Sequence, residues 1–355
     1  MRRTATRRTA TRGRRRTTAG RGRREPRALA VAAAGLALAV GVLVTALPER
    51  PGDPAAAGGP GSAAVTRAEH VTTGACAGVP AEEALRSYAP ERMPGEAVER
   101  IRERGRLKVG IDQNSYLWGY RSPEDGEIAG FDIDLVRAIA QDVLDEEDPE
   151  IVYLAIPTSE RTEALTSRRV DMVVRTMSIT CSRWEEVAFS TAYFETGQQL
   201  LAPRGSEVTG YDATLAGRRV CAADGSTALE LLMDPERGAR ERFRAEVTTA
   251  PNHLDCLVRV QLGLADALMT DSALAAGHVA QDPTMQLVGS PLTREWYGVA
   301  MNRQDVDLVR WVNAVLEDYR APGGGWEAAA REWLEGNLYP EGSPAPDPPE
   351  ARYGR

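Results

Sequence analysis

The sequence predicts an α/β fold built as two lobes in series, and three observations carry this. The chain has 355 residues, more than one domain usually holds, which favours a core divided between two lobes. Short runs rich in β-branched residues alternate with amphipathic stretches, the rhythm of parallel α/β units. That rhythm passes once over residues 107–174 and again over 219–279.

In order, the first set reads as a strand at 107–111, a helix at 133–144, a strand at 151–156, a helix at 160–167 and a strand at 170–174. The second set reads as a strand at 219–222, helices at 227–233 and 252–262, a strand at 265–269 and a helix at 271–279. Asp132 and Asp134 flank Ile133 at the start of the first helix, where carboxylates offset free amides and the dipole of the first turn. They read as structural. Trp311, Trp326 and Trp333 stand among apolar residues at helical spacing, so a packed C-terminal helical cap is expected.

The net charge of −8 conceals a division. Residues 1–27 hold 12 Arg against the single Glu25, a local balance of +11, so the rest of the chain carries −19. An acidic body excludes a nucleic-acid partner, whose phosphates are bound mainly by Lys and Arg. Directly after the basic segment, residues 28–47 form an uncharged run of Ala, Leu, Val and Gly. As a helix it would span roughly 30 Å, enough to cross a bilayer. Arginines before the run place the N-terminus in the cytoplasm. The run reads as a signal peptide or as an uncleaved membrane anchor, and export is expected either way.

Residues 48–75 begin with Pro, Gly and Ala and read as a tether with too little to bury. Pro340, Pro344, Pro346, Pro348 and Pro349 mark 339–355 as a tail not expected to pack. The four cysteines, Cys76, Cys181, Cys221 and Cys256, are an even number in an exported chain, so two disulfides are expected; the sequence itself leaves three pairings open. Zinc is not expected, because there is no C-x-x-C spacing and His70, His253 and His278 lie near no evident ligand cluster. No cofactor is indicated.

The most specific feature is an ordered set of segments: LKVGID at 107–112, GFDID at 130–134, VDMVV at 170–174, SITCSR at 178–183, FSTAY at 189–193, GST at 225–227 and ADALMTD at 265–271. Together they resemble the polar amino-acid family of solute-binding proteins of bacterial ABC importers, over roughly residues 98–338. The resemblance implies a two-lobe, hinged, type II periplasmic-binding-protein fold. It also implies an amino-acid ligand, glutamate or aspartate and less readily glutamine, a permease as membrane partner, and a monomer.

A zwitterion taken from water needs a cation and donors for its α-carboxylate, and an anion or carbonyls for its ammonium. Arg183 can offer a bidentate fork and Ser178 a hydroxyl; the resemblance places Thr176, Ser178 and Arg183 at the ligand's α-carbon end. Asp271 matches the family's acceptor for the ammonium, although an Asp there also suits the N-cap of a following helix. Gly225, Ser226 and Thr227 open a predicted helix whose free amides suit an anion.

PTSER at 157–161 resembles the stretch that meets the side-chain carboxylate of acidic ligands, making Thr158 and Arg161 candidates, with Arg175 a second cation that departs from the family's small residue. Asp112, closing the first segment, joins the ligand-side set. Tyr116, Trp118 and Tyr120 fall where the family places an aromatic wall, and one of them is expected to face the ligand.

The resemblance further implies crossings between lobes at 193–201 and 292–297. Lobe one is then 98–196 plus 294–338, and lobe two 197–293. On this layout Cys76–Cys181 and Cys221–Cys256 are the expected disulfides, since a bridge between lobes would oppose hinge closure. Two alternatives remain. One is an anchored sensor; the other is an enzyme on the same fold, a cyclic-acid dehydratase or cell-wall lytic enzyme, for which no paired nucleophile and base are evident.

Overall fold

The computed structural model describes residues 83–343 and 346–355. The basic segment 1–27, the apolar run 28–47, the tether 48–75 and Cys76 lie outside the described residues. Among the described residues no helix is long and apolar enough to cross a membrane.

Two five-stranded sheets share one plan. The first runs Ile151–Ala155, Leu107–Ile111, Met172–Val173, Ala300–Asn302, Val187–Phe189. Its first three strands are parallel, and Ala300–Asn302 is antiparallel to both neighbours. The second runs Glu246–Ala250, Arg219–Ala223, Ala267–Asp271, Gln198–Pro203, Met285–Val288. Here again three parallel strands are followed by one, Gln198–Pro203, antiparallel to both neighbours. Between the sheets the chain crosses at Phe194–Thr196 and returns at Glu295–Tyr297, and these two segments pair antiparallel with Phe194 opposite Tyr297.

Strands covered on both faces read as near-continuous apolar runs, and Leu107, Val109 and Ile111 are all buried. Gly110 stands between them because a Cβ there would lie 2.7 Å from Ile156 and 3.0 Å from Val173. The helix Phe131–Leu144 buries Ile133, Val136, Ile139, Ala140 and Val143, the spacing of one helical face. In the second sheet, successive residues feed opposite faces: Val220 and Ala222 enter one apolar cluster, Cys221 the other.

Cys221 is bonded to Cys256 with Cα atoms 5.5 Å apart, tying a central strand to the helix His253–Gln261. Closing a loop of that 35-residue separation is worth about 4 kcal/mol in chain-entropy terms. Cys181 is also disulfide-bonded, and its expected partner, Cys76, lies outside the described residues.

The C-terminal cap forms from the helices Val306–Arg320 and Gly325–Ala329 and the turn Ala330–Leu334. Trp311 and Trp326 are buried in it, and Trp333 donates to Asp134 at 2.6 Å. The end of the chain departs from expectation, because residues 352–355 pack. Ser87 and Tyr353 form a parallel bridge, the Ser87 amide donates to the Arg352 carbonyl at 2.9 Å, and the Arg355 guanidinium lies 3.7 Å from the Trp184 ring centroid. The prolines stop at residue 349; residues 352–355 keep backbone donors and three long aromatic or cationic side chains, Arg352, Tyr353 and Arg355, which suffice to dock an extended edge.

Candidate functional site

In parallel α/β sheets, ligands are met at the carboxyl ends of the strands, and both sheets turn those ends toward one small, partly open space of about 30 Å³. Thr158 and Arg161 follow the Ile151–Ala155 strand, and Arg175, Thr176, Ser178 and Arg183 follow Met172–Val173. On the opposite side Ser226 and Thr227 follow Arg219–Ala223, His253 follows Glu246–Ala250, and Asp271 ends its strand. Only Ala223, Ala228 and Leu274 add apolar surface.

Three guanidinium groups face this space in different states. Arg175 pairs with Asp112 at 2.9 Å and donates to the Thr158 hydroxyl at 3.0 Å, so its charge is balanced within the protein. Arg161 has only carbonyl partners, Thr158 at 2.8 Å and Gly225 at 3.1 Å. Burial, with Arg183 and Arg175 close by, pushes Arg161 well below the ordinary arginine range. Arg183 likewise bonds only carbonyls, Ser178 at 2.7 Å and Gly225 at 3.2 Å, and is 9% exposed. Two buried cations without a carboxylate partner form a site primed for an anion.

The opposing wall holds Asp271. Its carboxyl accepts from the Gln198 amide and from the Tyr297 hydroxyl at 2.6 Å. Burial, and then the nearby Glu295 charge, push it up to about 7. Asp271 precedes the helix Ser272–Gln281 but makes no side-chain cap bond, so its side chain serves the cavity and not the helix end.

Thr176 sits at φ 44°, a left-handed conformation that a branched residue adopts only when its surroundings impose it. Asp132 imposes it by accepting the Thr176 amide at 3.0 Å while held by the Tyr193 hydroxyl at 2.8 Å. Burial pushes Asp132 up to about 7. Neither aspartate makes the helix-start amide bond the sequence suggests: the helix has no side-chain cap bond, Asp132 holds Thr176 and Tyr193, and Asp134 accepts from Arg137 and Trp333.

Several expected contacts are not on the cavity wall. Asp112 lies behind it, accepting from the Gln113 and Asn114 amides and the Ser115 hydroxyl as well as Arg175. Burial alone would raise its pKa, but Arg175, with His253 and Ser115, holds it below the usual carboxylate range. Sequence reasoning placed it beside the ligand because the Arg175 that claims it is a departure from the resemblance. Trp118 is fully buried against Phe131, Phe194 and Tyr297, with its indole donating to the Ala273 carbonyl at 3.2 Å. An aromatic cluster offers the indole more apolar contact than a polar cleft does. Tyr116 packs edge-on to Tyr120, and Tyr120 to Trp333, so none of the three aromatics lines the space.

Gly225 contributes its carbonyl, not the expected amide, and at φ 71° its missing Cβ lets Ser159 approach; a Cβ would lie 2.9 Å from the Ser159 Cα. Ser226 caps the following helix through its hydroxyl, which accepts from Leu229 at 3.1 Å. Its own amide bonds the Ala223 carbonyl.

Two residues escaped sequence reasoning. His253 accepts or donates at 2.6 Å to Ser115 and 2.7 Å to His278, so histidines that look isolated in sequence meet in the fold. Burial, and His253 beside it, hold His278 well below the usual histidine range. Ser115 and His253 do form a close hydroxyl–imidazole pair, joining residues 138 apart in the chain. Ser115 is 1% exposed and does not line the cavity, and the second His253 nitrogen meets His278 where a catalytic triad would place a carboxylate. Among the described residues no cluster of metal-ligating side chains forms. The other missed residue is Glu295, which stands on the returning strand and accepts from two cavity-lining hydroxyls, Ser178 and Thr227, without itself lining the space. Alternation of Glu295 and Tyr297 about Trp296 on one strand face is the sequence feature that marks it.

Two sheets with strand ends facing across a polar cleft, joined by two paired crossings, define a two-lobed binding architecture. Residues 107–336 match the bacterial extracellular solute-binding proteins, family 3, and the chain belongs to that family. It is similar to the ABC transporter glutamine-binding protein GlnH of Bacillus subtilis, 31% identical over 236 residues, which cover 66% of this chain and 83% of the relative. It is also similar to the glutamate-binding protein GluB of Corynebacterium glutamicum, 26% identical, covering 62% of this chain and 76% of the relative. Among solved structures, the P235GK mutant of ArgBP from T. maritima superposes with a TM-score of 0.60 at 27% identity, covering 67% of this chain and 99% of that one. The fold is the type II periplasmic-binding-protein fold.

Proposed function

We propose that this protein captures an acidic L-amino acid, glutamate or aspartate, outside the cytoplasm by closing its two lobes on it, and delivers it to an ABC importer permease. One observation carries the choice of ligand: Arg161 and Arg183 are buried with only carbonyl partners, opposite the buried carboxylate of Asp271. Arg183 would take the α-carboxylate, Arg161 the side-chain carboxylate and Asp271 the ammonium, while the Ser178 hydroxyl, expected at the α-carboxylate, donates to Glu295 at 2.8 Å. Lobe one is 98–196 plus 294–338 and lobe two 197–293, with the hinge at the paired segments Phe194–Thr196 and Glu295–Tyr297. A ligand favours closure only through contacts that the open form lacks, and one held by Arg161 and Arg183 on one side and by Asp271 on the other would make such contacts from both lobes. Family membership supports export and the transport role.

A second reading, glutamine, is favoured by the ligand named for the Bacillus subtilis relative. Isothermal titration of the full-length protein, in mild detergent, against the twenty amino acids tests both. Tightest binding of glutamate or aspartate is expected, by at least about tenfold over glutamine, a difference of roughly 1.4 kcal/mol. Tighter glutamine binding would transfer the assignment to the second reading, and no heat with any amino acid would end both.

A further inference from the structure

We propose that Glu295 is a second carboxylate of the ammonium seat, touching the bound amino acid beside Asp271. The proposal rests on the amino-acid reading above and names a residue that reading does not use. Glu295 stands on the returning crossing strand, yet its side chain reaches both halves: one carboxylate oxygen accepts from Ser178 at 2.8 Å and from Thr227 at 2.7 Å. The other oxygen accepts from Thr293 at 2.9 Å.

From Glu295 a continuous chain of hydrogen bonds leads to Asp271. Thr227 meets the Gln198 amide nitrogen at 3.0 Å, and that nitrogen also donates to Asp271. Tyr297, two residues along and on the same strand face as Glu295, also donates to Asp271. None of the donors in it is charged. Asp271 on the cavity wall and Glu295 directly behind the wall hydroxyls of Ser178 and Thr227 are therefore held by hydroxyls and an amide alone.

An independent observation lies between them. Gln198 is 1% exposed, and its amide oxygen, next to the nitrogen that bonds Asp271 and Thr227, is buried without a hydrogen bond. A buried acceptor left unmade costs free energy until a donor arrives. An alkylammonium group brings three N–H donors and one positive charge, matching two carboxylates and one spare amide oxygen. Burial first, and then the Glu295 charge, raise Asp271 to about 7, and an arriving cation would relieve the second of these.

The same position would suit a resident competitor, a carboxylate occupying hydroxyls that the ligand's own carboxylate needs. The two roles give opposite signs on substitution. The test titrates full-length wild type and Glu295→Gln with whichever of L-glutamate, L-aspartate and L-glutamine binds wild type most tightly. Each is paired with its counterpart lacking the amino group, namely glutarate, succinate or glutaramate.

Glu295→Gln is expected to weaken the amino acid about tenfold or more, the size of a charge-assisted hydrogen bond, and the counterpart by less than about threefold. Glu295→Asp, which keeps the charge, is expected to retain more of the preference for the amino group. Unchanged or tighter binding of the amino acid, equal weakening of both compounds, or the reverse order of the two variants overturns the assignment. Normal wild-type binding with an unaffected variant overturns Glu295 alone; wild type binding none of the three amino acids overturns the amino-acid reading as well.

Discussion

Replacing Arg183 with alanine is expected to raise the dissociation constant for every amino acid at least a hundredfold in titration calorimetry. Arg183 is buried, adjoins Ser178 and spends its visible hydrogen bonds on two carbonyls, one on each side of the cleft. All amino acids share an α-carboxylate, so loss of the cation that receives it cannot be evaded by choice of side chain. Removing one partner of a buried charge pair typically costs about 3–5 kcal/mol. Loss of the Gly225 contact would weaken closure further. Binding retained within about tenfold would show that the α-carboxylate lies elsewhere.

Replacing Arg161 with alanine is expected to act selectively, weakening glutamate and aspartate about a hundredfold while leaving the weaker binding of glutamine within about fivefold. The asymmetry follows from electrostatics. Arg161 is crowded by Arg183 and Arg175 and held well below the ordinary arginine range, a strained cation that a side-chain carboxylate would relieve and a neutral amide would not. The contact with Gly225 is lost for every ligand alike, which is why the ratio between ligands, measured by calorimetry, is the informative quantity. Equal losses for glutamate and glutamine would remove Arg161 from the side-chain pocket.

The periodic features of this chain were legible in its sequence because they are local. Strands at 107–111, 219–223 and 267–271 and the helix over 131–144 follow from apolar runs and spacing, and the structure forms them within two residues of expectation. The cations were legible as candidates because the segments that hold Arg161 and Arg183, 157–161 and 178–183, carry the family resemblance. What each cation meets was not legible, because it depends on residues distant in sequence. Arg175 takes Asp112 out of the cavity across 63 residues of chain. Trp118 turns inward because Phe194 and Tyr297 come to meet it. His253 finds Ser115 and His278 only after two strands are aligned. Glu295 was missed because the returning strand was read as a connection, whereas strand alternation there directs one face toward the cavity-lining hydroxyls. The docking of residues 352–355 was hidden by the prolines before them.

The most direct test of a cleft that clasps a zwitterion is a crystal structure of the protein grown with L-glutamate. The expected result is one glutamate between the sheets, its α-carboxylate on the Arg183 guanidinium and its ammonium on the Asp271 carboxylate. Glutamate bound outside that space, or seated in it with neither group in contact, would contradict the account.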